Sequence, residues 1–516
     1  MRHSTLTRSA IWRQLITHCF CELGDKSPIP AYPVSSASSA SSAVQSFFSK
    51  RVLALFLLFL AATAQAAPLP APVAKALREA GIPAASVGVF VQDVSARKPL
   101  IVHKADRPMS PASTMKLVTT YAGLELLGPA YTWKTEVLTG GTVTGDVLTG
   151  DLIVKGYGDP ALTLESFWNL LRDVRGLGIR EIRGDLVLDN SYFQATGGDP
   201  GSFDNEPSRP YNVMPEALLV NFKTVRFRLV PEEGGGVRII ADPGPARLRI
   251  VNRLLPDDGP CNDWREGVLT EISRYGNDAV TVLVSGSYPR ACGDKSLYLS
   301  LFNNTGHVDA LFRQLWQELG GTLVGGVREG VAAPGARLLA SRESRALAEV
   351  VRDINKFSNN VMARQLLLTI GREAGSEGST RVAVQVVDKW LAERGMAFPE
   401  LEIENGSGLS RTERITPAHL GALLLAAWRG PLMAEFVSSL PIAAVDGTMK
   451  KRLHDQGVAG HAHIKTGSLR GVKAIAGYVH DRKGRSVAVV FIINHPDASA
   501  GQAAQDALLE WVYSRN

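Results

Sequence analysis

The chain has 516 residues, of which 45% are apolar and 21% are charged. This is the composition of a globular protein, and it excludes a wholly disordered chain, a collagen-like repeat and a small disulfide scaffold. The net charge is +6, but the first 66 residues hold six of the 56 basic residues and two of the 50 acidic ones, which leaves +2 for the rest. The charge therefore does not indicate nucleic-acid binding, and the length predicts two to four domains.

A short apolar run over residues 52–62 follows the basic pair 50–51 and precedes the small residues 64–66. This order is typical of a secretory signal peptide. As a helix the run would span about 16 Å, less than a bilayer core of about 30 Å, so a membrane anchor is the weaker alternative. We expect cleavage near residue 66, a periplasmic mature protein without a membrane span, and, because the stretch before the run is so long, a true start of translation near residue 50.

Four cysteines are present, and two of them, Cys19 and Cys21, fall in the leader. Cys261 and Cys292 remain in the mature chain. An even pair in an exported protein predicts a disulfide, with two free buried thiols as the alternative. No spacing of cysteine and histidine indicates a zinc site.

Hydrophobic periodicity predicts three elements at the start of the mature chain. Residues 70–80 form a short helix, residues 86–94 alternate like a strand, and residues 110–127 form a helix with Ser110 as its N-cap. The next region, 138–334, has short strands and frequent glycines. We expect this region to be a β-rich insertion.

The inserted region contains an internal repeat. Residues 167–187 have the order helix, glycine, strand, and residues 311–327 repeat that order. Two similar units predict one domain that the chain enters and leaves through matching halves, with another lobe between them.

The last third of the chain is helical again and ends in a hairpin and a helix. Helices are expected at 347–371, 379–394 and 417–428, strands at 474–479 and 486–493 around a turn at 481–484, and a final helix at 500–513 with Ser499 as its N-cap. The simplest architecture is an α/β domain made from both ends of the mature chain, residues 67–137 and 335–516. The insertion 138–334, of one or two smaller domains, interrupts it.

Two Ser-x-x-Lys motifs occur. The first, Ser95 to Lys98, follows a strand and precedes a proline, so it is expected to be a solvated turn. The second, Ser113 to Lys116, falls in the first turn of a predicted helix, where the i, i+3 spacing places both side chains on one face. A neutral lysine can take a serine proton, and burial, a neighbouring cation and the helix N-terminus all lower a lysine pKa. Taken alone, the motif also fits a surface serine and lysine on an amphipathic helix.

Ser358-Asn359-Asn360 lies in a run that is predicted to be helical. Ser358 is a candidate to relay a proton to a leaving amine, and Asn360 is a candidate to hydrogen-bond Lys116 and a substrate amide. Taken alone, a polar helix face or a kink explains the tripeptide better.

Lys465-Thr466-Gly467 precedes a strand-like segment. Lys465 is a candidate for the cation that lowers the pKa of the first motif's lysine and receives a substrate carboxylate, and Gly467 would let a substrate backbone approach. A surface turn is the alternative. His461 and His463 would share a strand face with Lys465, but no third ligand is evident, so we expect no metal.

The three motifs together, in this order and after an export signal, form the signature of penicillin-binding proteins and β-lactamases. The sequence resembles the low-molecular-mass class C penicillin-binding proteins, which are D-alanyl-D-alanine carboxypeptidases and endopeptidases. The most telling feature is the separation of 242 residues between Lys116 and Ser358, because that family carries a large insertion there. Further segments that resemble the family are 156–160, 189–193, 211–215, 405–411 and 446–448. Asn405 departs from the aspartate expected there, and should be tolerated because asparagine also accepts left-handed geometry.

The resemblance implies a penicillin-binding transpeptidase-like domain, an antiparallel sheet flanked by helices, with the β-rich insertion. It implies that Ser113 is the acylated nucleophile and Lys116 its general base. Ser358 and Asn360 return the proton and position the substrate. The implied substrates are peptidoglycan stem peptides and the implied inhibitors β-lactams, with neither metal nor organic cofactor.

The resemblance also implies a binding strand. Lys465 and Thr466 hold the terminal carboxylate of the D-Ala-D-Ala peptide, and Gly467 lies beside them. The backbone N–H groups of Ser113 and Ser468 form the oxyanion hole, and one such donor is typically worth about 3 kcal/mol.

Three alternatives remain from the sequence. A serine β-lactamase would share the nucleophile, but the long separation of the motifs argues against it, and no Glu-x-x-Leu-Asn segment is placed to activate a water. A non-catalytic wall module would keep the fold without the chemistry, which the intact serine, lysine and asparagine set argues against. A metallopeptidase would need a His-Glu-x-x-His motif, which the sequence lacks.

Overall fold

The computed structural model describes residues 68–515 apart from 195–196, 246 and 276–278, and the side chain of Tyr275. The predicted signal peptide, its alternative as an anchor and the two leader cysteines lie outside the described residues. The described residues belong to one compact unit. Among them there is no helix both long and apolar enough to span a bilayer.

A five-stranded antiparallel sheet joins the two ends of the described chain, in the order β18-β19-β20-β1-β2. Its strands are β1 (Val87–Asp93), β2 (Ile101–His103), β18 (Ala462–Leu469), β19 (Val472–His480) and β20 (Ser486–Asn494). The predicted hairpin of the last two strands is confirmed. Strands β1 and β20 are almost wholly buried, because helices cover both faces of the sheet.

Two helices at the ends of the chain cover one face of this sheet. They are α1 (Ala71–Glu79) and α11 (Gln502–Ser514). Leu77 and Leu508 share a core with Val89 and Phe491 of the sheet. The expected cap of the last helix is wrong, because a 3₁₀ turn at Ala498–Gly501 precedes α11 and no side chain caps it.

The other face carries the helices that bring in the first two motifs. They are α2 (Lys116–Leu127), α6 (Leu347–Phe357), α7 (Asn360–Glu373), α8 (Thr380–Glu393), α9 (Pro417–Arg429) and α10 (Met433–Ser438). Tyr121 of α2 packs against Trp390 of α8 and Phe436 of α10 within a second core. Helix α2 is buried on nearly all sides, which fixes its N-terminus against the sheet.

The inserted region forms four sheets, in the orders β16-β8-β6-β3-β17, β15-β7-β5-β4, β10-β9-β14 and β11-β13-β12. Its helices are α3 (Leu164–Gly176), α4 (Trp264–Gly267) and α5 (Asn304–Glu318). The strands of the first two sheets are β3 (Lys134–Thr139), β4 (Thr142–Thr144), β5 (Val147–Thr149), β6 (Leu152–Gly156), β7 (Glu181–Ile182), β8 (Leu186–Asp189), β15 (Thr322–Leu323), β16 (Val327–Glu329) and β17 (Arg337–Glu343). Those of the other two are β9 (Val225–Pro231), β10 (Val237–Asp242), β11 (Leu248–Asp257), β12 (Val268–Tyr275), β13 (Ala279–Pro289) and β14 (Lys295–Leu299).

The repeated segments lie side by side. Strand β7 pairs in parallel with β15, and β8 pairs in parallel with β16, while α3 and α5 share one core through Phe167 and Phe312. The chain therefore leaves this lobe after the first unit and returns to it with the second. Between the two, β9 to β14 build the other lobe, where Cys261 and Cys292 form the expected disulfide.

The fold class expected from the sequence is confirmed: an antiparallel sheet flanked by helices, interrupted by a β-rich insertion. The exact domain boundaries stay a prediction. Strand β3 crosses the expected boundary at 138, and its partner β17 lies beyond the expected boundary at 334.

Candidate active site

Ser113 lies in a tight turn before α2, not in the predicted regular helix. The 3₁₀ turn spans Ala112–Met115, and Ala112 has φ 45°. Two glycines pack against it, since a Cβ on Gly408 would lie 2.0 Å from the carbonyl oxygen of Ala112, and one on Gly467 would lie 3.0 Å from the nitrogen of Ser113. Backbone on both sides therefore fixes the position of the serine.

The expected N-cap at Ser110 is also wrong. Its backbone N–H donates to Oδ1 of Asn494, 2.9 Å away, and its carbonyl accepts from Nδ2 of the same asparagine at 3.1 Å. The turn is therefore tied to the end of β20 through an asparagine side chain. Periodicity along 110–127 could not reveal this contact between distant residues.

Lys116 is completely buried and has three polar neighbours. Its Nζ lies 3.0 Å from Oγ of Ser113 and 2.6 Å from Oδ1 of Asn360, and it donates to the carbonyl of Ser407. A neutral amine has two hydrogens and one lone pair. With the hydrogens on Asn360 and Ser407, the lone pair faces the hydroxyl of Ser113, which is the arrangement a base needs.

The surroundings of Lys116 favour its neutral form. Burial lowers its pKa well below the ordinary value of 10.5, and the positive charges of Lys465 and Arg364 lower it further. Glu413 acts in the opposite direction, because its negative charge favours the ammonium form.

Ser358-Asn359-Asn360 does not continue a helix, as the sequence predicted, but joins α6 to α7. Ser358 adopts a left-handed conformation with φ 57° at the end of α6. Asn359 then caps α7, where its side-chain oxygen accepts from the N–H of Met362 at 3.1 Å. Asn360 becomes the first residue of α7, so Ser358 and Asn360 leave the chain in different directions.

Ser358 and Asn360 consequently contact different lysines. Nζ of Lys465 donates to Oγ of Ser358 at 2.8 Å, while Lys116 contacts the amide oxygen of Asn360. The amide nitrogen of Asn360 lies 3.5 Å from the carbonyl of Tyr211. The junction thus bridges the first and third motifs.

Lys465-Thr466-Gly467 lies within β18, the edge strand of the central sheet. Lys465 is completely buried, and burial lowers its pKa to about 7. The hydroxyl of Thr466 donates to that of Thr448 at 2.8 Å. Gly467 is the residue that lets β18 approach the turn of Ser113.

The three motifs meet at a cavity of 330 Å³. Its lining includes the predicted residues Ser113, Ser358, Thr466 and Ser468, together with Thr448, Arg452, Lys473 and Gln502. Three buried residues, Lys116, Asn360 and Lys465, lie behind this lining. Lys116 contacts Ser113 and Asn360, and Lys465 contacts Ser358.

The two histidines near the third motif do not form a metal site. His463 has its ring centre 5.5 Å from that of His480, and His461 stacks on Tyr513. In the part of the chain that the structure describes, no group of three or more potential ligands is suited to hold a metal ion.

The family model for the D-Ala-D-Ala carboxypeptidase 3 (S13) family matches residues 69–514. This chain belongs to that family. It is accordingly a serine-type carboxypeptidase, and the resemblance to class C penicillin-binding proteins is confirmed.

Among curated proteins, this S13 chain is similar to the D-alanyl-D-alanine carboxypeptidase of Actinomadura sp. (strain R39), with 29% identity over 84% of this chain and 82% of the relative. It is also similar to the D-alanyl-D-alanine carboxypeptidase DacB of Haemophilus influenzae, with 25% identity over 79% of this chain and 85% of the relative. Among solved structures, penicillin binding protein 4 (dacB) from Haemophilus influenzae matches the fold with a TM-score of 0.69 and 24% identity, over 85% of this chain and 99% of that one.

Sequence reasoning missed several groups at the S13 site. The carbonyl of Ser407 lies in the family-like segment 405–411, for which the sequence predicts no role, and the carboxylate of Glu413 lies two residues beyond that segment. Thr448 lies in another family-like segment, 446–448, for which the sequence predicts no role. In that segment, the carboxylate of Asp446 accepts from buried Lys356 at 2.7 Å. A backbone carbonyl leaves no mark in a sequence, so only the family-like segments could have pointed to these groups.

The departure at Asn405 is accommodated, but not by left-handed geometry. Gly406 and Gly408 take the positive φ angles, 70° and 79°, and Asn405 does not. Its Nδ2 donates to the carbonyl of Leu409 at 2.9 Å, and its Oδ1 accepts from the N–H and hydroxyl of Ser407. The residue therefore uses both halves of its amide, and an aspartate could supply only one.

Proposed function

We propose that this S13-family protein cleaves the D-Ala-D-Ala bond of peptidoglycan stem peptides, and their D-Ala crosslinks, through an acyl-enzyme on Ser113. One observation carries the proposal. The buried amine of Lys116 has two hydrogen-bond acceptors, and its remaining side faces the hydroxyl of Ser113 at 3.0 Å. A neutral lysine so held is a general base for a serine nucleophile.

In the acylation step, Oγ of Ser113 attacks the carbonyl carbon of the penultimate D-Ala. Its proton passes to Nζ of Lys116 as the new C–O bond forms, and the electron pair of the C=O bond moves to the oxygen. The N–H groups of Ser113 and Ser468 are proposed to stabilise that oxyanion. This assignment is supported by the close packing of Gly467 on the nitrogen of Ser113, which brings β18 to the turn.

In the collapse of the tetrahedral intermediate, the C–N bond breaks and the leaving amine needs a proton. Ser358 is proposed to relay to it the proton that Lys116 took from Ser113, so that Ser358 keeps its hydroxyl and Lys116 becomes neutral again. The hydroxyl of Ser358 accepts from Lys465 and borders the same cavity as Ser113. The leaving group is D-Ala in the carboxypeptidase reaction, or the crosslinked amine in the endopeptidase reaction. In deacylation a water attacks the ester carbonyl and gives one proton to neutral Lys116. The C–O bond to Ser113 then breaks, and the proton passes from Lys116 to Oγ of Ser113.

The peptide is proposed to lie along β18. An edge strand can pair with an extended peptide, and Gly467 leaves room for it. Lys465 supplies a positive charge and Thr466 a hydroxyl for the terminal carboxylate, while the side chain of Asn360 is placed to meet a substrate amide. β-Lactams present a carboxylate and a reactive amide in a similar arrangement, so they are proposed to acylate Ser113. The proposed location is the periplasm, where such peptides occur.

The test is intact-mass spectrometry of the purified protein before and after benzylpenicillin, with peptide mapping of any adduct. We expect a stable adduct of one penicillin on Ser113, absent from Ser113→Ala, and release of D-Ala from a D-Ala-D-Ala pentapeptide that the same variant loses by about a thousandfold or more. Ser95→Ala, in the exposed Ser-x-x-Lys turn, is the matched control and should behave as wild type. Rapid hydrolysis of penicillin without an adduct would instead identify a β-lactamase, and intact penicillin without an adduct would identify a non-catalytic module.

A further inference from the structure

A buried carboxylate lies behind the base and has no part in the mechanism described so far. Glu413 is 1% exposed. Its Oε1 accepts three backbone N–H groups, from Glu404 at 3.2 Å, Asn405 at 3.0 Å and Gly406 at 2.8 Å. Its Oε2 is also buried and has no hydrogen-bond partner among the described residues.

The loop that Glu413 holds is the one that reaches α2. The carbonyl of Gly406 accepts from the hydroxyl of Thr119 at 2.7 Å, and the next carbonyl, that of Ser407, accepts from Lys116. The hydrogen bonds from three consecutive N–H groups to Glu413 therefore fix where the Ser407 carbonyl lies. That carbonyl is one of the two acceptors that orient the amine.

Within the part of the chain that the structure describes, Glu413 is the acid that acts on Lys116. The cations are Lys465 from β18 and Arg364 from α7. Glu404 lies on the same loop and acts on Arg364, and its carboxylate accepts from the hydroxyls of Ser410 and Thr412. At 405 the loop has an asparagine, which adds no charge.

We propose that Glu413 is a positioning residue for acyl transfer, which holds the Ser407 carbonyl on Lys116 and supplies the negative charge that sets the protonation balance of this base. The inference rests on the proposed role of Lys116 as general base. Three N–H donors on one oxygen stabilise the ionised carboxylate, and burial opposes it by raising the pKa of Glu413. Arg364 faces it from α7, and Lys116 faces it from α2 with a positive charge only when protonated.

Two variants separate the effect of the charge of Glu413 from the effect of its hydrogen bonds to the loop. In Glu413→Gln the side chain keeps its size and one oxygen for the loop but loses its charge. The neutral form of Lys116 then becomes easier to reach, so the acid limb of the acylation rate should move to lower pH by about one unit. In Glu413→Asp the charge remains but the reach shortens. The acid limb should then stay in place, while the rate falls about tenfold or more at every pH because the Ser407 carbonyl is no longer held.

The experiment measures the second-order rate constant for acylation by benzylpenicillin as a function of pH, with a thermal melt of each variant. Glu400→Gln is the matched control, since Glu400 also holds a backbone N–H, that of Thr416 at 2.9 Å, but contacts His419 and none of the site residues. Its pH profile should match the wild type.

An acid limb that coincides in Glu413→Gln and wild type, whatever the melting temperature, would overturn the role of the charge. A wild-type acylation rate in Glu413→Asp would overturn the role of the hydrogen bonds from Glu413 to the loop. This second test remains available if Glu413→Gln fails to fold. Failure of the proposed function would look different, because the wild-type protein itself would then form no adduct on Ser113.

Discussion

Two completely buried lysines at one site need different protonation states to work. Lys116 must be neutral to take a proton, whereas Lys465 must be positive to hold a carboxylate. Burial lowers the pKa of both, that of Lys465 to about 7. The same desolvation that makes a base of the first weakens the second, so pH controls the two functions in opposite directions.

The first prediction is a pH profile. Acylation by benzylpenicillin should rise with pH as Lys116 loses its proton and fall again above a pH of about 7, where free Lys465 loses its positive charge. Lys465→Arg should remove the alkaline limb, because a guanidinium does not titrate in this range. An alkaline limb of wild type near the ordinary lysine value of 10.5 would contradict the prediction.

The second prediction concerns stability. The pKa of Lys465 is about 7 in the folded protein and 10.5 without perturbation, so between these values the unfolded chain binds more protons and stability rises with pH. At neutral pH the stability of the folded protein is therefore reduced by most of the free energy that burying this charged lysine costs. Lys465→Met should therefore abolish acylation and yet raise the melting temperature by a few degrees at neutral pH, about 2 to 4 °C per kcal/mol.

The pH dependence of that gain is the sharper measurement. The advantage of Lys465→Met over wild type should shrink as pH rises toward 10.5, where the lysine is neutral in both states. The exposed Lys98→Met is the control. It should change the free energy of unfolding by less than about 0.5 kcal/mol. A gain that is constant with pH would show that packing, not charge, is responsible.

At the scale of elements, the junction of α6 and α7 decides where two side chains point. Asn359 caps α7, and its loss should cost about 1 kcal/mol. Because Asn360 is the first residue of that helix, fraying should also release Lys116. The third prediction is that Asn359→Ala lowers both the melting temperature and the acylation rate, the latter by about tenfold.

The matched control is Ser379→Ala, which removes the cap of α8, where Ser379 accepts from the N–H of Val382 at 3.4 Å. It should cost a similar free energy of unfolding and leave the acylation rate unchanged. Equal rates in the two variants would mean that the cap contributes stability alone.

The close approach of β18 to the nucleophile gives a fourth prediction. A Cβ on Gly467 would lie 2.8 Å from the carbonyl of Pro111 and 3.0 Å from the nitrogen of Ser113, so one of these backbones must move. Gly467→Ala should slow acylation by about a hundredfold, the usual loss for one oxyanion donor. Gly140→Ala, where a Cβ has open space, should not change the rate.

The sequence predicted elements that local periodicity determines and missed those that distant contacts determine. The hairpin of β19 and β20 and the two repeated units follow from alternation and order. The break at Ser358 does not, because a left-handed serine is stabilised by what surrounds it. Likewise, Ser113, Ser358 and Lys465 could be selected from their motifs, but the Ser407 carbonyl depends on how a loop some 290 residues away from Lys116 packs on α2.

At the scale of the molecule, the lobe with the disulfide has a core of its own. Cys292 packs with Trp264 and Tyr288, and none of the three contributes to the cores of the catalytic domain. The bond between Cys261 and Cys292 spans 31 residues. Closing such a loop stabilises the folded state by about 3 to 4 kcal/mol.

The fifth prediction is that replacing both cysteines by serine lowers the stability of this lobe by about that amount and leaves acylation of Ser113 unchanged. Denaturant unfolding followed by tryptophan fluorescence, together with the benzylpenicillin rate, measures both. Wild-type protein treated with a thiol reductant is the control and should reproduce the stability loss. A parallel fall of the acylation rate would mean that the lobe and the site are coupled.

Strand β1 lies beside β20, with Val87 opposite Ile493. In the order of synthesis, β1 comes before the whole inserted region and β20 comes after it. The strands of the inserted region are all present before β20, but the central sheet is not yet complete, and β18, which carries Lys465, belongs to that sheet. A chain that has not yet reached β20 should therefore be inactive.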